Sequence, residues 1–122
     1  MLPVKQVIVM RRDLKMRRGK EVAQGSHASN EILEQVAFRG KNPSDELVEW
    51  LNTGKTKICV RVDSEEELMA IYEAAQARRL EVNLITDSGH TEFNMVPTKT
   101  CLAIGPNDAM TIDLVTGHLP LY

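Results

Sequence analysis

Aromatic residues make up only 4% of the sequence, cysteine occurs twice, and no apolar run approaches the ~18 residues that a membrane-spanning helix needs. The missing run excludes a spanning helix. Cys59 and Cys101 lie inside the apolar stretches TKICVRV and TKTCLAIG, where a thiol serves as a small buried hydrophobe, so neither a disulfide nor a metal site is expected. Scarce aromatics leave few platforms for stacking nucleic-acid bases. His27, His90 and His118 are scattered without HExxH or CxxC spacing, so no metal and no cofactor is assigned. A nucleophile elbow is missing too: Gly25-Ser26-His27 lacks the closing glycine of G-x-S-x-G and falls within a helical pattern. The segment around Gly19-Lys20 is no P-loop, because Glu21 replaces the Ser/Thr after the lysine and Leu14 stands where the first glycine belongs.

What is present is ordinary globular material: 122 residues, 43% hydrophobic and 26% charged. One domain over residues 1–122 is expected, large enough to bury roughly two-thirds of its unfolded surface. The opening MLPVKQVIVMRRD reads as a strand and not as a signal peptide, which implies a cytoplasmic protein. Net charge is only −2, but its distribution is uneven. Lys5, Arg11, Arg12, Lys15, Arg17, Arg18 and Lys20 crowd the first 20 residues against Asp13 alone, and the rest of the chain is acidic. A local basic segment on an acidic protein suggests a site for phosphates, against the blander alternative of a solvated loop.

Residues 5–11 have the β-branched density of a buried strand, and residues 21–39 have helical period. Ser44, Asp45 and Glu46 open a short helix that Gly54 stops. A strand over 56–62, a helix after Asp63-Ser64-Glu65, a strand over 82–86, a strand over 100–105 and a last helix ending near Gly117 complete the order. Strands alternating with helices predict an α/β layer fold of four strands, its sheet covered on both faces. Ligands gather at the carboxyl ends of strands in such sheets, which directs attention to the segments after residues 11, 86 and 105.

On the first long helix, Val22, Gly25, Ala28, Ser29, Ile32, Leu33 and Val36 form one stripe, and Lys20, Gln24, His27, Glu31 and Glu34 another. The small residues let the helix approach the sheet and bring the polar stripe toward the strand ends. Lys20 is oddly placed, because the positive end of the helix dipole disfavours a cation and calls for an anion nearby. Asp87, in LITDSGHT, follows an apolar strand. It is either a turn-capping residue or a carboxylate at a strand's carboxyl end, able to orient a water or pair with Lys20. Thr91, Thr98 and Thr100 add hydroxyls at the same edge, and His27 is the one histidine placed for acid or base work.

RRDLKMRRGKEVAQGSHAS, LITDSGHTEFNMVPTKTCLAIGP and IDLVTGHLPL, in this order, resemble the type II peptidyl-tRNA hydrolase family over nearly the whole chain. The shared patterns are R-x-D-L-x-M-x-x-G-K-x-x-A-Q-x-x-H-A, D-x-G-x-T, T-x-T opening an apolar strand, and I-D-x-V-T-G-x-L. The resemblance implies a three-layer α/β/α fold with a mixed four-stranded sheet, commonly a homodimer. It implies a metal-free esterase that cuts the bond between a peptide and the 3′ end of tRNA. The catalytic residues would be Lys20, His27, Asp87, Thr91 and Thr100, with Gln24 beside them. Arg11, Arg12, Lys15, Arg17 and Arg18 would then grip phosphates and Thr98 would contact substrate. Two positions depart from the pattern: His90 replaces a common arginine, which weakens a phosphate contact, and Met95 stands in a loop that usually contains glycine, which alters the loop carrying Thr98 and Thr100. A non-catalytic tRNA- or phosphate-binding module of the same fold is the alternative.

Overall fold

The computed structural model describes residues 3–90 and 92–122. The elements run β1 (Val4–Arg11), α1 (Arg18–Phe38), α2 (Asp45–Asn52), β2 (Lys57–Val62), α3 (Glu65–Ala77), β3 (Val82–Asp87), β4 (Thr98–Asp108) and α4 (Ala109–Thr116). Capping chemistry sets several boundaries: Ser44 Oγ accepts from Leu47 N at 3.1 Å, Ser64 Oγ from Glu67 N at 3.0 Å, and Asp108 Oδ2 from Thr111 N at 3.1 Å.

The sheet order is β2-β1-β4-β3, with β1 parallel to β2 and β4 antiparallel to both neighbours. This is the expected mixed four-stranded sheet between helical layers. Alternation along the strands sorts the core. Val7, Val9, Val60, Val62, Leu102 and Ile104 point to α3 and α4, where Leu68, Ile71, Ile112 and Val115 meet them. Met10, Cys101 and Ala103 point the other way, to Ala28 of α1, and Ile32 packs with Leu47 and Trp50 of α2 on that same side. The small side chains there let α1 lie close. Gln6, fully buried, is satisfied by that proximity: its amide donates to the Ser29 carbonyl at 3.2 Å and accepts from Ser29 Oγ at 2.6 Å.

Two sequence expectations are corrected. α1 runs from Arg18, slightly before the helical period over residues 21–39, and Lys20 lies in its first turn as expected. Its buried face includes Gln24, at 4% exposure, and excludes Val22, at 64%, because the helix is rolled toward β3. β4 continues past Gly105 to Asp108, and since it runs antiparallel, its carboxyl end lies at the edge opposite those of β1, β2 and β3. The segment after residue 105 therefore does not join the segments after 11 and 86.

Candidate active site

β1, β2 and β3 end at one edge of the sheet, and β4 begins there. Asp87 is the last residue of β3 and pairs across the ladder with Thr98. One residue earlier the register slips: Ile85 faces Cys101 but Thr86 faces Lys99, so Thr100 is the extra residue of a bulge. A bulge breaks the alternation of side chains. Consecutive residues Thr100 and Cys101 can thus both reach α1, where the Thr100 hydroxyl donates to Gln24 Oε1 at 2.5 Å and the Cys101 thiol to the Gln24 carbonyl at 3.4 Å.

These contacts anchor a chain of polar groups. Lys20 Nζ lies 2.7 Å from Asp87 Oδ1, and Gln24 Nε2 donates to the same oxygen at 3.4 Å. Gly89 N donates to Asp87 Oδ2 at 2.8 Å. The pair is mostly sheltered, its side chains 15% and 10% exposed. Lys20 and Gln24 are four residues apart and so share one helix face above the strand end. The anion demanded by a cation at the start of α1 is supplied by the chain itself: Asp87 for Lys20, and Glu92, which accepts from Arg17 N at 3.3 Å.

The loop after Asp87 depends on Gly89, whose φ is +88° and whose position leaves no room for a Cβ, since one would stand 2.3 Å from the Val96 carbonyl oxygen. Met95 N donates to Gly89 O at 2.9 Å, and Asn94 and Met95 both adopt positive φ, at 50° and 68°. Met95 therefore takes the backbone form that a glycine would favour, and Thr100 keeps its place on Gln24.

The hydrogen bond from Lys20 is the main cause holding the Asp87 carboxyl below its ordinary value of 3.8, with the Gly89 amide and the charges of Lys20 and His90 acting in the same direction and burial opposing them. A depressed folded-state value stabilises the protein at every pH above the unfolded value and is lost as pH falls through the folded one. The stability difference between wild type and Asp87→Asn, followed by denaturant titration, is therefore expected to be flat from neutral pH down to about 5 and to close below 3.8. A difference that closes between pH 5 and 7 would contradict the pairing.

The structure brings Lys20, Gln24, Asp87 and Thr100 together. His27 is exposed and lines a polar cleft of about 500 Å³ with Gln24, Glu31, Asn83, Asp87 and Ser88. Thr98 bonds its hydroxyl to the Val96 carbonyl at 2.8 Å. Thr91 lies outside the described residues. Arg12, Lys15 and Arg17 are exposed on the connection from β1 to α1, and Arg18 is exposed at the start of α1. Arg11 does not join them: it is 8% exposed, forks onto Asp13 at 3.1 and 2.7 Å, and donates to the Lys99 carbonyl at 3.0 Å. Its donors hold β1 to the start of β4. From the sequence Gly89 reads only as the turn glycine of D-x-G-x-T, and Glu92 carries no signal.

The model of the family described as "Peptidyl-tRNA hydrolase PTH2" matches residues 4–122. The chain belongs to this family. Among PTH2 relatives, a protein named peptidyl-tRNA hydrolase from Methanocaldococcus jannaschii is 44% identical over 97% of this chain and 99% of its own. The mitochondrial peptidyl-tRNA hydrolase 2 of Homo sapiens is 43% identical over 97% of this chain and 64% of its own, so the chain spans nearly all of the archaeal relative and under two-thirds of the human one. A protein of unknown function from Agrobacterium tumefaciens shares the fold, with a TM-score of 0.66 at 15% identity over 100% of this chain and 99% of that one.

Proposed function

We propose that this PTH2 chain is a peptidyl-tRNA hydrolase, cleaving the ester between a peptide and the 3′-terminal ribose of tRNA. The sheltered Lys20–Asp87 pair at the strand edge, on a chain matching the family from residue 4 to 122, is the observation that carries this reading. Water adds to the ester carbonyl carbon, the carbonyl electrons move onto oxygen, and collapse of the tetrahedral intermediate breaks the bond to the ribose oxygen, which takes a proton. Lys20 stabilises the oxyanion, supplying the electrostatic help that such transition states need without calling on a metal. Asp87 orients the attacking water. Its lowered carboxyl makes it a poor final acceptor for the water's proton, because general bases work best near the operating pH. His27, at the cleft, relays that proton to the ribose oxygen, while Gln24, Thr100 and, by family resemblance, Thr91 hold the carboxylate and the water.

The exposed residues Arg12, Lys15, Arg17 and Arg18 bind acceptor-arm phosphates. Arg12 pairs with Asp63 at 2.8 Å, but both side chains are nearly half exposed and such a pair is worth little, so phosphate can displace it. Four phosphate contacts give a log–log salt slope of about −3 to −4, and each charge removed lowers it by about 1. A salt-independent tRNA affinity would remove the basic connection from the reading. Cytoplasmic location and a homodimer complete the proposal; light scattering should give twice the chain's 13.7 kDa. The decisive experiment is release of tRNA from N-acetyl-aminoacyl-tRNA in the presence of chelator. Tight tRNA binding without ester cleavage would favour the binding module.

A further inference from the structure

A second hollow, of about 650 Å³, opens on the other flank of α1. α1 packs on β1, β4 and β3, which leaves this face of the outer strand β2 and its edge with β1 as a floor. Ile8 of β1 and its partner Cys59 of β2 form that floor, Val22 and Leu33 one wall, and Trp50 and Leu51 of α2 the other. Gly25 lines the hollow, and a Cβ there would stand in ordinary contact with Met10 Cε at 3.6 Å and Ile8 Cγ2 at 3.8 Å, so the glycine lets α1 lie close to that floor. The size lies within the range of pockets that take small ligands.

Two features say what this groove holds. Glu21 Oε2 is buried there without a hydrogen-bond partner among the described residues, and Tyr122 lines the same groove. A buried acceptor without a donor is costly, and a ligand N–H would satisfy it. Arg18, Lys55 and Lys57 also line the groove. His27 lines both this groove and the polar cleft that contains Asp87, so one side chain of α1 borders both hollows, and Arg18 belongs to the basic segment. An occupant that reaches from one to the other is attached to the reacting ester, largely apolar, and carries an N–H donor.

The geometry points to this groove as the subsite for the peptide part of the substrate: the acyl chain passes over His27 from the ester at Asp87, seats apolar side chains between Val22, Leu33 and Leu51, and donates a backbone N–H to Glu21. This rests on the hydrolase reading, and it gives the enzyme a preference for apolar residues near the scissile ester.

Trp50, the only tryptophan, lies in the groove wall and reports occupancy directly. An acetylated, amidated tetra-leucine peptide should shift Trp50 emission saturably and move the amide resonances of Val22, Gly25 and Leu33, whereas a tetraglycine analogue should do neither. Val22→Asp, at a position 64% exposed, and Leu51→Asp, at one 38% exposed, place a carboxylate in the groove without disturbing the core. Each is expected to weaken the tetra-leucine peptide about 10-fold and to raise KM for a tetra-leucyl-tRNA by a similar factor. Acetyl-glycyl-tRNA, too short to reach the groove, should be cleaved unchanged. No spectral response to the apolar peptide, or equal losses on both tRNA substrates, would overturn the assignment. If wild type cleaves neither tRNA, the hydrolase reading fails, and the peptide titration alone judges the groove: saturable apolar binding upholds it and none overturns it.

Discussion

Lys20→Ala is expected to lower turnover of a peptidyl-tRNA by about 100- to 1,000-fold, the loss typical of removing one donor to a developing oxyanion. Folding should survive, because Asp87 keeps the Gly89 amide and the Gln24 amide, and the buried core does not include Lys20. The substitution removes the main cause that lowers the Asp87 carboxyl, so that group moves back toward its ordinary range. Loss of kcat should therefore come with an acid limb of the pH–rate profile shifted upward. Lys20→Arg keeps the charge but changes a compact ammonium for a planar fork, and partial activity there would indicate that charge matters more than shape. A Lys20→Ala protein with wild-type turnover contradicts the proposed role.

Gly89→Ala is the second large effect, and it acts through backbone geometry rather than charge. Alanine pays for a φ of +88° and its Cβ would stand 2.3 Å from Val96 O and 2.5 Å from Val96 N, contacts with main chain that cannot swing aside. The loop must open, breaking the bonds from Gly89 N to Asp87 and from Met95 N to Gly89. Such strain is worth about 1–3 kcal/mol, and a destabilisation of 1 kcal/mol lowers Tm by about 4 °C in a domain of this size. Turnover should fall more than 10-fold even below the melting range, since one Asp87 partner is lost and a small misplacement at the reacting centre is costly. Gly54→Ala is the control: its φ is +108° but nothing lies within 4 Å of its Cβ, and it sits away from the cleft. It should cost stability and spare turnover. Equal losses of turnover at both glycines would remove Gly89 from the site.

Lys20 and Asp87 were legible in the sequence because each breaks a local rule: a cation at a helix start, and a carboxylate closing an apolar strand. The layer order was legible from periodicity and caps. What remained hidden depends on contacts between distant elements. Gln24 belongs to the buried face because α1 rolls toward β3, and Thr100 reaches it through a bulge that alternation rules cannot show. Arg11 reads as one of seven basic residues before position 21, yet it ends β1 and turns inward onto Asp13, which a charge count cannot distinguish from its exposed neighbours. Glu92 gives no signal at all, because its role exists only once the loop folds back on the first turn of α1.

The most direct test of the central claim is release of tRNA from N-acetyl-aminoacyl-tRNA with chelator present, measured side by side for wild type, Lys20→Ala and Asp87→Asn at matched folded concentration. Rapid release by wild type and loss of release in both variants is the expected result. Release that persists in both variants, or a folded wild type that binds tRNA and leaves the ester intact, would contradict it.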